Sequence, residues 1–271
     1  MTLALVACAA VFAWFSFKYA WWRPATDYHF PRVLMYHMIS EPCRGARFNG
    51  LRVSPAQFER QLRWLNAHGW HSVTVSELVQ AGSDLPPKSY AITFDDGYAD
   101  NYLQALPLLQ RYNCKATLYL VVDRENRDWS VQRKAHHSGG ELMREPKLTD
   151  KQVQFMLDSG RIELGSHGLT HANFDRLTNS EVARELQQSR DLLSQQFDVP
   201  VTSFAYPFGI FRPEHVPLVE KAGYQSAVTT VEGVESPETR NRFQLRRIKI
   251  SGKDNALAFS LLMRTGYRGW H

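Results

Sequence analysis

The chain has 271 residues, 44% of them hydrophobic and 12% aromatic, which is enough apolar side chain for one large α/β domain with a sizeable core. Its net charge of +5 is moderate and comes with no nucleic-acid-binding motif, which argues against a nucleic-acid partner. The three cysteines, Cys8, Cys43 and Cys114, lack CxxC spacing and an even count, so a cysteine zinc site and a disulfide framework are both disfavoured and at most a single Cys43–Cys114 bridge is left open.

Residues 2–22 are almost wholly apolar, broken only by Thr2, Ser16 and Lys18, and close in Tyr19, Trp21, Trp22 and Arg23. An apolar run of about 20 residues ending in an aromatic and basic belt has the length and flanks of a single membrane-spanning helix. The expected organisation is a signal anchor over 1–24 followed by one globular domain over 25–271. A cleaved signal peptide fits less well, for lack of a charged leading segment and a small-x-small cleavage site. Lys18, Arg23 and Arg32 follow the span, and that bias alone would put the domain on the cytoplasmic side.

The first strand beyond this segment, Val33-Leu34-Met35-Tyr36, delivers His37 at its end. Ser54-Pro55-Ala56-Gln57 is a helix start, with Phe58, Leu62 and Leu65 on one face, and Ser72 to Val75 reads as the next strand. The central stretch is Ala91-Ile92-Thr93-Phe94-Asp95-Asp96-Gly97-Tyr98, a buried strand that stops on two adjacent carboxylates. Two acids side by side at the end of such a strand are costly unless a cation or a shared proton compensates. Since neighbouring strand residues face opposite ways, one Asp can ligate a metal while the other stays free as a base.

A helix over 101–112 and a strand over 116–122 follow. Residues 123–146 are polar, aperiodic and basic, and read as an insertion loop at the site mouth. Its His136-His137 pair makes a poor chelator. Capping boxes at Thr149-Asp150-Lys151-Gln152 and Thr178-Asn179-Ser180-Glu181 open two further helices. Between them, Arg161 to Leu164 leads into Gly165-Ser166-His167-Gly168-Leu169-Thr170-His171, whose two histidines share a face if they occupy a helical turn. Two imidazoles and one carboxylate make the three protein ligands of an open catalytic zinc site. Ser203 to Gly209 is a strand ending in the aromatic turn Tyr206-Pro207-Phe208-Gly209, suited to stack on sugar rings. A helix over about 213–222 and a strand over 225–229 precede a basic tail, from Arg240 on, that reads as a solvated face or as a surface for anionic head groups or a phosphate-bearing substrate. Strands alternating with helices imply a parallel sheet with function at the carboxyl ends of its strands.

Thr93-Phe94-Asp95-Asp96-Gly97-Tyr98, Ser166-His167-Gly168-Leu169-Thr170-His171 and Tyr206-Pro207-Phe208-Gly209, in this order, resemble the motifs of the polysaccharide deacetylase family, the NodB homology domain of carbohydrate esterase family 4. The resemblance spans about Arg32 to Ile250 and implies a distorted (β/α) barrel of seven or eight strands, here preceded by the transmembrane helix. It also implies metal-dependent removal of N-acetyl groups from N-acetylhexosamines in a polysaccharide or a lipid-linked glycan. Carried over by residue, Asp95 is the catalytic base, Asp96, His167 and His171 are the metal ligands, and the backbone N–H of Tyr98 donates to the oxyanion. Tyr206, Pro207 and Phe208 would bind substrate. Zinc is the first expectation, with cobalt, nickel or iron also suited to the ligand set.

Two family features are missing: an Arg before the aromatic turn, where this chain has Ala205 and Tyr206, and a late Leu-x-His, where it has Leu245-Arg246-Arg247-Ile248. His37, which resembles the Tyr-His near the start of biofilm poly-N-acetylglucosamine deacetylases, is the expected replacement acid. Arg247 is expected to bind substrate or to orient Asp95. Because such enzymes work outside the cytoplasm, the resemblance overrides the charge bias and implies a single-pass inner-membrane protein with a periplasmic catalytic domain. The competing readings are an O-acetyl carbohydrate esterase and an inactive carbohydrate-binding scaffold.

Overall fold

The computed structural model describes residues 2–129 and 139–269, so the His136-His137 pair lies outside the described residues. Eight parallel strands form: β1 (Arg32–Tyr36), β2 (His71–Val73), β3 (Ser89–Asp95), β4 (Ala116–Leu120), β5 (Ile162–Ser166), β6 (Ser203–Ala205), β7 (Ser226–Glu232) and β8 (Leu245–Lys249). β1 pairs with β3 on one side and β8 on the other, which closes seven strands into a ring. β2 pairs with Ser89 to Ala91 of β3, and β4 pairs with Ile92 to Asp95, so β2 is a short patch below β4 and the barrel is distorted there.

The helices are α1 (Thr2–Tyr19), α2 (Pro55–Ala67), α3 (Val75–Ala81), α4 (Leu106–Arg111), α5 (Glu141–Arg144), α6 (Asp150–Asp158), α7 (Asn179–Phe197), α8 (Val216–Lys221) and α9 (Ala256–Thr265). Ser54 caps α2, and the expected capping boxes start α6 and α7. A further box, Thr74 with Glu77, turns the chain into α3 where the sequence suggests strand through Val75. That helix plugs the barrel: Val75 and Leu78 pack with Val33, Ala91, Tyr119, Ala205, Val228 and Leu245. The expected helix over 101–112 begins as a π-turn, Asn101–Ala105, before α4.

The amino-terminal expectation is corrected. Helix α1 has 18 residues, about 27 Å at the standard rise, and ends at Tyr19. The chain reverses at Ala20, where φ is 42°, leaving Trp21 and Trp22 outside the helix. Among the described residues no helix is long and apolar enough to cross a membrane. The run read as one span is divided by this turn, with Lys18 inside the last helical turn. The transmembrane anchor, the membrane as partner and the single-pass inner-membrane placement therefore fall. Val11, Phe12, Trp14 and Phe17 of α1 are exposed.

The cysteines stay unbridged, and the basic tail is partly paired within the fold. All three cysteines are free, with Cys43 exposed and Cys114 buried against the Tyr90 hydroxyl at 3.2 Å, so no Cys43–Cys114 bridge forms. Much of the tail's charge is used internally: Arg268 pairs with Asp254, Arg242 with Glu220 and Arg246 with Glu235, while Arg264 donates to the Trp21 and Arg23 carbonyls.

Candidate active site

The strand ends gather the predicted residues around a cavity of about 410 Å³, lined among others by His37, Asp95, Asp96, His167, His171, Tyr206 and Phe208. Strand alternation brings one face of each strand inward. On β3 that face carries Ala91, Thr93 and Asp95; on β1 it leads through Val33 and Met35 to His37.

After Asp95 the backbone turns sharply. Asp96 has φ 75° and Gly97 has φ 78°, and a Cβ on Gly97 would lie 2.5 Å from Leu120 Cδ1, so only glycine fits. His171 and Phe208 also hold positive φ, 56° and 59°, a conformation costly for residues with a side chain. The histidines are therefore not one turn of helix, as their spacing suggested, but lie on a loop after β5. Glu185 of α7 holds that loop: its carboxylate accepts from the Leu169 N–H (2.9 Å), the Thr170 N–H (3.0 Å) and the Thr170 hydroxyl (2.7 Å).

Asp96, His167 and His171 are all buried, and one donor atom from each lies within 4.8 Å of the others. Both histidine Nε2 atoms are 3.3 Å from Asp96 Oδ1. Ligands bound at about 2.0–2.1 Å at a tetrahedral angle stand roughly 3.3 Å apart, so the spacing fits a zinc-sized ion. His167 Nδ1 sits 2.8 Å from the Ala205 carbonyl, and donating there leaves its Nε2 lone pair facing Asp96. His171 Nδ1 has no partner among the described residues, and its ring stacks on Trp129 at 4.9 Å.

The electrostatics suit a cation. Burial works to raise the Asp96 pKa, but the hydrogen bonds to His167 and His171 outweigh it and hold the carboxyl well below its ordinary range. Burial lowers His171, whereas for His167 the hydrogen bond to Asp96 and the charge of Asp95 outweigh burial and raise its pKa.

Asp95 has a different environment. Arg247 Nη1 and Nη2 donate to its two oxygens at 2.7 and 2.8 Å, while Arg247 Nε donates to the Thr229 carbonyl and Nη1 also reaches Thr93 Oγ1. Burial works to raise the Asp95 pKa, but the Arg247 charge prevails and keeps it below the usual carboxylate value. Arg247 is fully buried beneath Asp95 and does not line the cavity, so it is Asp95's partner rather than a substrate contact. Met35 is level with both Thr93 and Lys249, which sets Arg247 well below Asp95, and only a long side chain spans the gap.

His37 is half-buried at the same rim, its pKa lowered chiefly by burial, with the charges of Arg247 and Lys249 pushing the same way. Asn101 Nδ2 donates to the His37 carbonyl at 2.9 Å. Tyr98 is buried, and burial and the Asp96 charge raise its hydroxyl pKa. Tyr206 is buried in the wall with its hydroxyl on the Phe243 carbonyl at 3.1 Å; Pro207 is buried behind it, and Phe208 meets His171 edge-on at 4.3 Å. Sequence reasoning missed Trp129, Lys147 and Glu185. Trp129 lines the cavity and Lys147 Nζ lies 5.0 Å over its ring, but both sit in or beside the aperiodic loop, where no pattern marks them.

A closed parallel barrel with an Asp-His-His donor set beside a second, arginine-bound aspartate defines a hydrolase of the barrel class, with its site at the strand carboxyl ends. A family model described as polysaccharide deacetylase matches residues 82–227. The Bacillus subtilis family member YxkH is 33% identical over 230 residues, covering 84% of this chain and 74% of that protein. The poly-β-1,6-N-acetyl-D-glucosamine N-deacetylase of Staphylococcus aureus strain MSSA476 is 26% identical over 210 residues, 73% of this chain and 68% of the relative. The solved structure of the Streptococcus pyogenes deacetylase PplD in complex with acetate superposes with a TM-score of 0.72 at 25% identity, covering 90% of this chain and 99% of that one. The chain belongs to the polysaccharide deacetylase family.

Proposed function

We propose that the chain, with 25–271 as its catalytic unit, hydrolyses the N-acetyl group of N-acetylhexosamine residues in a polysaccharide or lipid-linked glycan. The observation that carries this reading is the pairing, in one cavity, of the Asp96-His167-His171 donor set with an Asp95 held ionised by Arg247. Asp96, His167 and His171 would hold a divalent metal, zinc first. Such an ion, when bound, polarises an acyl carbonyl and makes water more acidic.

Asp95 takes the proton of the attacking water, and its bidentate arginine keeps it ionised and fixes its direction. The Tyr98 backbone N–H donates to the oxyanion, a contribution of roughly 3 to 4 kcal/mol for a well-placed donor. His37 gives a proton to the departing amine. Tyr206 and Phe208 form an aromatic wall for the sugar, with Pro207 fixing the turn between them. The Staphylococcus aureus relative supports the choice of an N-acetylhexosamine polymer, and PplD, solved with acetate, supports an acetyl group as the part released.

Acetate release by the full chain tests this. The substrates are poly-N-acetylglucosamine oligomers, chitooligosaccharides, a lipid-linked N-acetylhexosamine and acetylated xylan, each with chelator and with added zinc. Release from an N-acetyl substrate that stops with chelator and returns with zinc is expected. Release from xylan alone would make the chain an ester hydrolase, and no release with no bound metal would make it a binding protein.

A further inference from the structure

Outside the barrel, α2 and α9 enclose a second groove of about 420 Å³, a size typical of small-molecule sites. Its walls are mostly apolar, with Trp64 and Phe259 in edge-to-face contact at 5.6 Å and Ala67 and Ala256 beside them. Gln61 lines it and is only 4% exposed. Its Oε1 accepts from the Tyr36 hydroxyl at 2.9 Å, and its Nε2 has no partner among the described residues. A buried amide donor without a partner costs about 1–3 kcal/mol, so an acceptor placed against it is rewarded.

At the mouth, Arg60 and Arg63 are exposed and make no ion pair among the described residues. The nearby acids are already engaged: Asp254 pairs with Arg268 and accepts from the Ser251 N–H at 2.8 Å, and Glu59 pairs with Arg111 at 2.8 Å. The groove therefore joins an apolar body, an unpartnered amide donor in its wall and two exposed arginines at its mouth, of which Arg63 also feels the Glu59 carboxylate.

We propose that this groove is a binding site for a small apolar-bodied anion. The body lies against Trp64 and Phe259, an acceptor on it meets Gln61 Nε2, and its carboxylate, sulfonate or phosphate meets Arg60 and Arg63. Charge complementarity at the mouth decides for an anion over a neutral ligand. The site is separate from the deacetylase cavity and does not depend on that reading.

The test uses two probes with one aromatic body, anilinonaphthalene sulfonate and the uncharged phenylnaphthylamine, titrated into the full ¹⁵N-labelled chain. The sulfonate is expected to shift the Trp64 indole and Gln61 side-chain amide resonances, assigned with Trp64→Phe and Gln61→Glu. The double variant Arg60→Gln/Arg63→Gln, changed only at exposed positions, should weaken the sulfonate by about tenfold, as loss of charge-assisted contacts implies, and leave the neutral probe unchanged. Resonances that stay still, shifts confined to the exposed face of α1, or equal loss of both probes would overturn the proposal.

Discussion

The two sides of the barrel rim do different work by different means. On the β3–β5 side, Asp96, His167 and His171 form a cluster in which every member depends on a local turn: positive φ at Asp96 and His171, Glu185 clasping the loop, and the Ala205 carbonyl fixing one imidazole. On the β8–β1 side, Arg247 and His37 come from strands at opposite ends of the chain, and both reach Asp95's neighbourhood only because β1 closes the ring between β8 and β3. One side is built by turn chemistry and the other by barrel closure. Damage to them should differ accordingly.

The largest contrast is between His167→Ala and Arg247→Ala. Removing His167 takes away one of three donors, and bound metal and activity should both be lost while thermal stability changes little. Removing Arg247 leaves Asp95 charged, buried and unpaired, which should cost about 3–5 kcal/mol of stability while the metal content is retained. Arg247→Lys should recover little, because an ammonium cannot make the two parallel bonds. Metal analysis beside thermal unfolding of each variant separates the two. If Arg247→Ala lost its metal and kept its stability, the division of labour would be wrong.

A smaller effect is expected at His37. Under its proposed role as donor of the amine's proton, a contribution of roughly 10²–10⁴ in turnover, His37→Ala should lower kcat by that order with metal content unchanged. An ester substrate, whose alkoxide leaves with less help, should suffer less. Equal kcat for wild type and variant would remove His37 from the chemistry.

The smallest effect concerns pH and the link between the sides. Asp100, which accepts from Asn101 Nδ2 at 3.0 Å, has its pKa raised by burial to about 6. A carboxyl with a raised folded pKa binds more protons folded than unfolded, so its contribution is present below the ordinary carboxylate range and is lost as pH rises through about 6. Asp95, whose folded pKa is lowered, acts in the opposite sense: its contribution is present above the ordinary range and is lost as pH falls below it. Asp100→Asn should therefore flatten the decline in stability between about pH 4 and 6 and leave the acid limb in place, as measured by denaturant midpoints across that range. A decline unchanged in the variant would show that another group carries it.

The amino-acid sequence by itself determined the βα alternation, the helix starts at Ser54, Thr149 and Thr178, and the identity of the Asp-Asp and His-x-x-x-His stretches. These are short-range signals: a capping box or a strand ending in two acids is complete within a few residues. Helix α3 went unread because the Thr74 box follows directly on three strand residues. The apolar amino-terminal run misled because its composition does not show the turn at Ala20. Only the tertiary structure decided that Arg247 lies beneath Asp95 instead of facing substrate, that Glu185 clasps the histidine loop and that Trp129 walls the cavity. Each of these depends on strand register and ring closure over long separations, such as the sequence separation of 152 from Asp95 to Arg247, and no local pattern encodes a distance that the barrel sets by closing.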